Sequence, residues 1–162
     1  MSDGKCYDVM WHDLDLLVLY AIEVTDMLGG VNAIGSPPAT DNDFIDLVRE
    51  GLPYRSVVAA SQFLHLKEEQ ALSCLRISAR TAARRKAKDE RLREVESERL
   101  LRLARLAATA IDVLGDREKA VRWLQRPNRG LGGRVPLQLL DTDIGFQSAI
   151  DELQRVEFGV FS

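Results

Sequence analysis

The last third of the chain holds a run of turn and cap residues that restricts the fold more than any other segment. Residues 120–153 read AVRWLQRPNRGLGGRVPLQLLDTDIGFQSAIDEL. An apolar helix end leads into a Pro-Asn turn, a Leu-Gly-Gly loop and a short helix that begins at Pro136. Thr142 is a favourable N-cap for a final helix, which we expect to run to Arg155. This order predicts one helical hairpin whose paired glycines allow backbone angles that other residues avoid.

The rest of the chain is predicted to be helical as well, so we expect an all-α protein. Aromatic residues make up only 6% of the 162 residues, and alternating apolar runs hardly occur. The hydrophobic fraction of 46% is enough to bury a core. The longest apolar segment, Leu14 to Leu28, is interrupted by three acids. We therefore expect no membrane span, no signal peptide and a cytoplasmic location.

Three regions are expected along the chain. Residues 1–40 form an N-terminal helix and loop, in which Leu14 to Leu28 is a buried or dimerising helix and a possible dimerisation arm. Residues 41–93 form a helix-turn-helix region, and residues 94–162 form a C-terminal helical domain. A long amphipathic helix opens the last region at about residue 96 and runs to about Leu114.

The middle region has helix caps and turns in the order that is typical of a helix-turn-helix. Asp41 or Asp43 is expected to cap a helix that Gly51 ends, and a second helix runs from Pro53 to residue 64. A third helix covers residues 67–75. After a two-residue turn, Ser78 is a good N-cap for a basic helix over residues 79–88. A short helix, a tight turn and a capped helix rich in Arg are typical of DNA-binding proteins.

Charge is distributed unevenly in this acidic chain, whose net charge is -3. Residues 76–93 carry eight Lys and Arg against Asp89 and Glu90. In a recognition helix the first residues face base edges and later basic residues touch phosphates. The expected DNA contacts are Ser78, Arg80, Thr81 and Arg84 at the bases, and Arg85, Lys86 and Lys88 at the phosphates.

Charge alone leaves a second interpretation open. A run of Arg and Lys on a surface helix is also what a solvated face looks like when it pairs with neighbouring acids such as Asp89, Glu90 and Glu94.

No residue pattern indicates catalysis, a metal or another cofactor. Cys6 and Cys74 are far apart and belong to no ligand cluster, and His12 and His65 lack a metal-spaced partner or a nucleophile. No glycine loop for phosphate follows a strand. An enzyme is therefore the least favoured class, and we expect no cofactor.

The order of these features resembles one protein family, the Xre/MbcA/ParS antitoxins with their toxin-binding domain. The resemblance covers about residues 42–162. Besides the hairpin, it includes Ser-x-Arg-Thr-x-x-Arg-Arg-Lys from residue 78, Glu-Ser-Glu-Arg-Leu from residue 96 and Phe-Gly-Val-Phe from residue 158. Two positions depart from the family pattern, since Arg76 replaces a small turn residue and Ala82 replaces a leucine.

The resemblance implies an antitoxin with no chemistry of its own. Toxins of the RES-domain class, the usual partners, break down NAD or transfer ADP-ribose to a protein. The antitoxin would cover the toxin's NAD pocket with its C-terminal domain, form homodimers and repress its own operon. Expected toxin contacts are the exposed polar and aromatic residues of the hairpin loop and tail: Arg126, Asn128, Arg129, Arg134, Gln154, Arg155, Glu157, Phe158 and Phe161. The alternative is a stand-alone helix-turn-helix regulator without a toxin partner.

Overall fold

The computed structural model describes the backbone of residues 12–159 and the side chains of residues 20–159. This part of the chain is all-α, as predicted, and consists of nine α-helices and two short 3₁₀ turns. The helices are α1 (His12–Met27), α2 (Val31–Ile34), α3 (Asp41–Glu50), α4 (Tyr54–Phe63), α5 (Glu68–Leu75), α6 (Ala79–Lys88), α7 (Glu94–Leu114), α8 (Arg117–Gln125) and α9 (Asp143–Glu157). The 3₁₀ turns are Arg129–Leu131 and Pro136–Leu139.

Side-chain caps fix the starts of α6 and α9 where the sequence placed them. Ser78 accepts the Thr81 N–H at the start of α6, and Thr142 accepts the Gly145 N–H at the start of α9. At α3 the expected cap was wrong. Thr40 is the N-cap, and Asp43 is the third helical residue, whose carboxylate accepts the Thr40 N–H at 2.8 Å. The two residues form a capping box, which satisfies two backbone donors at once.

The core is a single apolar cluster arranged around α7. The side chains of Leu100, Leu103 and Leu106 are fully buried on this helix. Helices α1, α3, α5, α8 and α9 all pack against it. Because one helix lies at the centre of the others, the N-terminal and C-terminal halves share their hydrophobic core.

The described end of α1 belongs to this core. Val24, Met27 and Leu28 are fully buried, and α1 packs on both α4 and α7. The sequence predicted either a buried or a dimerising helix, and the side chains of these three residues are buried. Within residues 12–159, no helix has the length and apolar character needed to cross a bilayer.

Polar contacts join the helix-turn-helix region to the C-terminal half. Arg76, at the turn before α6, adopts a left-handed conformation with φ 55° and forms an ion pair with Asp141. Arg117 donates to the carbonyl of Phe63, and its guanidinium lies 4.0 Å from the centre of the Phe63 ring. The first contact holds the turn of the helix-turn-helix against the loop that precedes α9, and the second holds the end of α4 against the start of α8.

Candidate functional surfaces

One face of α6 presents an exposed basic stripe. Arg80, Arg84 and Lys88 are four residues apart, so they lie on the same side of the helix, and all three are exposed. Arg84 is 3.5 Å from a carboxylate oxygen of Glu90. Within residues 20–159 no ion pair involves Arg80 or Lys88. Ser78 and Thr81 lie at the start of the helix, where their hydroxyls are hydrogen-bonded to each other at 3.0 Å.

The structure corrects the expected role of Arg85. Its side chain is only 7% exposed and donates to Glu96 of α7 at 2.5 Å, so it cannot reach a phosphate. The helical register explains this, because Ala82 and Arg85 form the face of α6 that packs on the core. Arg85 therefore joins two helices and is removed from the expected DNA contacts.

Lys86 is exposed, but it already has a partner on α5. Its ammonium lies 3.1 Å from the Glu68 carboxylate, which also accepts the hydroxyl of Tyr54 at 3.0 Å. Burial, followed by this hydrogen bond, raises the pKa of Tyr54 to about 12. Lys86 thus belongs to a network that holds α4, α5 and α6 together, and a phosphate would have to compete with Glu68 for it.

The hairpin loop at residues 128–134 closes on itself. Asn128 donates its N–H to the Arg134 carbonyl at 2.9 Å, and its side chain accepts the Gly130 N–H at 2.7 Å. Gly132 and Gly133 have φ of 65° and 79°, which confirms the predicted use of the two glycines. The Asn128 side chain therefore shapes the loop, while Arg126, Arg129 and Arg134 are exposed around it.

Several other expected toxin contacts are exposed at the end of α9. Gln154, Arg155 and Glu157 face solvent, and Arg155 pairs with Glu152 at 2.6 Å. Phe158 follows the helix with 76% of its surface exposed. Phe161 lies outside the described residues.

One exposed apolar residue was missed in the sequence. Ile144, in the first turn of α9, is 81% exposed, the largest value among the large hydrophobic residues that are described. The signal was present, because the buried residues of α9 are Gly145, Ala149 and Leu153, and Ile144 does not share their helical face.

The described residues contain no group of three or more His, Cys, Asp and Glu arranged to hold a metal ion. Cys74 is buried in α5, and this burial raises the pKa of its thiol to about 12. A thiol with so high a pKa is a poor nucleophile at neutral pH.

Two family models match adjoining parts of the chain. Residues 43–105 match the antitoxin Xre-like helix-turn-helix domain, and residues 109–159 match the antitoxin Xre/MbcA/ParS C-terminal toxin-binding domain. An Antitoxin Xre from Yersinia enterocolitica is 32% identical over 130 residues, which are 80% of this chain and 88% of the relative. The chain belongs to the Xre family of antitoxins. It is therefore the antitoxin of a toxin–antitoxin system.

Other relatives of the antitoxin have similar coverage. An Antitoxin Xre from Photorhabdus laumondii is 30% identical over 130 residues, 80% of this chain and 88% of the relative. A protein from a Sphingobium species, named Prs ADP-ribosylating antitoxin, is 26% identical over 145 residues, 79% of this chain and 91% of the relative.

The two kinds of candidate surface of the antitoxin fall in different matched regions. The basic stripe of α6 lies within residues 43–105, and the hairpin loop and α9 lie within residues 109–159. The basic stripe and the exposed end of the chain's C-terminal region therefore occupy separate parts of the molecule.

Proposed function

We propose that the antitoxin binds a RES-domain toxin in the cytoplasm and blocks its NAD pocket with the C-terminal domain. The observation that carries this proposal is the exposed end of α9, with Phe158 beside Gln154 and Glu157, in a region that matches a toxin-binding domain. An exposed aromatic ring suits an interface because it buries a large area with little loss of side-chain freedom. The Sphingobium relative has the printed name Prs ADP-ribosylating antitoxin, and because ADP-ribosylation consumes NAD, this name supports a toxin that uses NAD.

The tail can be tested by truncation. We expect removal of residues 157–162 to weaken toxin binding about tenfold, because the aromatic end of α9 is lost. The core ends at Leu153, so the thermal midpoint should stay within a few degrees of the full chain. Binding of the truncated chain to the toxin is measured by calorimetry, and consumption of NAD by the toxin is measured in parallel. Full inhibition by the truncated chain would contradict a role for the tail.

We also propose that α6 reads operator DNA, so that the antitoxin represses its own operon. Arg80 is exposed near the start of the helix, where Arg can donate two hydrogen bonds to a guanine, while Lys88 lies two turns further along. Dimers would place two copies of α6 on two half-sites. On α1, Ile22 is exposed and available for a dimer contact, whereas Val24 and Met27 belong to the core.

Two substitutions separate base reading from simple charge attraction. Arg80→Ala should cost about 1–3 kcal/mol at the operator and relax the base preference at one position. Lys88→Ala should weaken binding to all sequences similarly and lower the salt slope by about 1. Arg122→Ala on α8 is the control for loss of one positive charge elsewhere. Fluorescence anisotropy over a salt series measures both effects, and equal effects of the first two changes would favour charge alone.

A further inference from the structure

Ile144 marks a surface that the proposed contacts of the tail do not include. A single exposed isoleucine is ordinary on a protein surface, so its meaning depends on what surrounds it. Ile144 lies beside a depression of about 370 Å³ between the start of α9 and the hairpin loop. We call this depression the α9 groove. The residues that the argument uses from its lining are Leu131, Arg134, Leu139, Ile144, Gly145 and Arg155.

The backbone around the α9 groove is held in place by several independent contacts. The N-terminus of α9 is capped by Thr142, and the loop is closed by the two hydrogen bonds of Asn128. Gly145 is in such close contact with the Leu139 carbonyl that an added Cβ would lie 2.1 Å from the oxygen. A groove that is formed before binding loses little conformational freedom when a partner enters it.

The rim of the groove carries charge of two kinds. Arg155 is already paired with Glu152 at 2.6 Å, and Asp151 accepts a hydrogen bond from Gln147 at 2.8 Å. Arg134 is exposed, and within residues 20–159 it forms no ion pair. The groove therefore offers a partner an apolar contact at Ile144 and one guanidinium that is free to pair with a carboxylate.

We propose that the α9 groove is a direct contact surface for the toxin, separate from the tail. An apolar side chain of the toxin packs on Ile144 and Leu131, and a carboxylate of the toxin pairs with Arg134. This inference rests on the proposed function, because the occupant is the same toxin. We infer that the partner is the toxin because every residue of the groove lies within residues 109–159, which match the toxin-binding domain.

Substitution of Ile144 tests the apolar contact. The side chain is exposed, so Ile144→Asp should leave the fold intact, whereas a buried charge at the interface should weaken toxin binding at least about 30-fold. Val95→Asp is the matched control, because Val95 is also in the first turn of a helix and is 56% exposed, but it lies in the region that matches the helix-turn-helix. We expect the control to bind like the unaltered chain.

Arg134→Glu tests the charged contact. It should weaken toxin binding about tenfold or more. The loss of affinity should be larger at low salt, where charges of like sign repel most strongly. Arg122→Glu on α8 makes the same change of charge outside the groove and is its control. Thermal unfolding of each variant checks that the fold is kept.

The measurement is calorimetric titration of each variant with the purified RES-domain toxin of the proposed toxin–antitoxin pair. If the unaltered antitoxin does not bind that protein, the proposed function itself fails. If the unaltered chain binds and both groove variants bind equally well, the toxin contact lies elsewhere and only the α9 groove is rejected. Selective loss of binding in Ile144→Asp and Arg134→Glu, with both controls unaffected, supports the groove.

Discussion

Gly145 lies in the first turn of α9, where the helix passes over the carbonyl of Leu139. A Cβ at this position would lie 2.1 Å from the Leu139 oxygen and 2.9 Å from the Thr142 hydroxyl. The φ of Gly145 is not positive, so the requirement for glycine here is close approach of two backbone segments and not a left-handed turn. The residue therefore fixes how closely α9 approaches the turn at Pro136–Leu139.

Gly145→Ala is expected to destabilise the protein by about 1–3 kcal/mol, because the backbone of Leu139 must move. Helix propensity alone predicts the opposite sign, since alanine is favoured over glycine by about 1 kcal/mol within a helix. Gly130→Ala is the comparison. There the added Cβ meets the carboxylate of Glu152, a flexible side chain that is able to turn away, so the cost should be smaller. Urea unfolding measures both variants, and a stabilised Gly145→Ala would contradict the close approach.

At the residue scale, the helical register of α6 could be predicted from the sequence, and it decides which side chains of this helix are exposed. Arg80, Arg84 and Lys88 share one side of a helix whose start was located by Ser78, and all are exposed. The expected phosphate contact at Arg85 was wrong, because this side chain shares the core-facing side of α6 with Ala82 and pairs with Glu96 of α7. The register was readable from the sequence, but the carboxylate that stabilises a buried Arg lies on another helix and was not.

At the scale of helices, Glu96 connects α6 to α7. One carboxylate oxygen accepts from Arg85 at 2.5 Å and from the Arg93 N–H at 2.8 Å, and the other accepts from the Arg93 side chain. Burial opposes ionisation of Glu96, but the hydrogen bonds from Arg93 and Arg85 outweigh it, so the pKa of this carboxyl lies below its usual 4.5. The pair holds α6 against the central helix of the core.

Glu96→Gln is expected to destabilise the protein by about 3 kcal/mol at neutral pH, because Arg85 is left buried without a counter-charge. The low pKa of Glu96 adds a pH dependence. Its contribution is complete above about pH 4.5, where the unfolded chain is also ionised, and is lost as the pH falls through the lower folded-state value. The gap in unfolding free energy between the unaltered chain and Glu96→Gln should therefore narrow below pH 4.5.

Urea unfolding at pH 7 and at several values below 4.5 measures this gap. Glu118→Gln, at an exposed position on α8, is the control and should change stability by less than about 0.5 kcal/mol. A gap that stays constant across the whole pH range would rule out ionised Glu96 as the source of the effect.

The bounds of the helices were easier to predict from the sequence than the contacts between helices. Ser78 and Thr142 are local signals, and the helices that they start agree with the structure within two residues. The four-residue α2 was missed, since it is shorter than any recognisable amphipathic period. At α3 the two expected caps were Asp41 and Asp43, but the reciprocal bonds between Thr40 and Asp43 make Thr40 the cap.

At the scale of the whole molecule, α7 connects the two regions that match family models. The helix runs from Glu94 to Leu114, so the end of one matched region at residue 105 and the start of the other at residue 109 both fall inside it. The sequence predicted a boundary between the second and third regions of the chain at residue 94, which is the first residue of α7. This boundary stays a prediction. Since the apolar residues from Val24 to Leu153 form one cluster, neither region has a separate core.

The protein is therefore expected to unfold in one cooperative transition, although two domain models match adjoining parts of it. α8 and α9 bury their apolar faces against α7, so the fragment 109–162 loses most of the surface that it packs on. In differential scanning calorimetry, the calorimetric and van't Hoff enthalpies of the full chain should agree, and the isolated fragment should show no transition. Two resolved transitions, or a folded fragment 109–162, would mean that the C-terminal half folds independently and that a toxin is able to recognise it without the helix-turn-helix region.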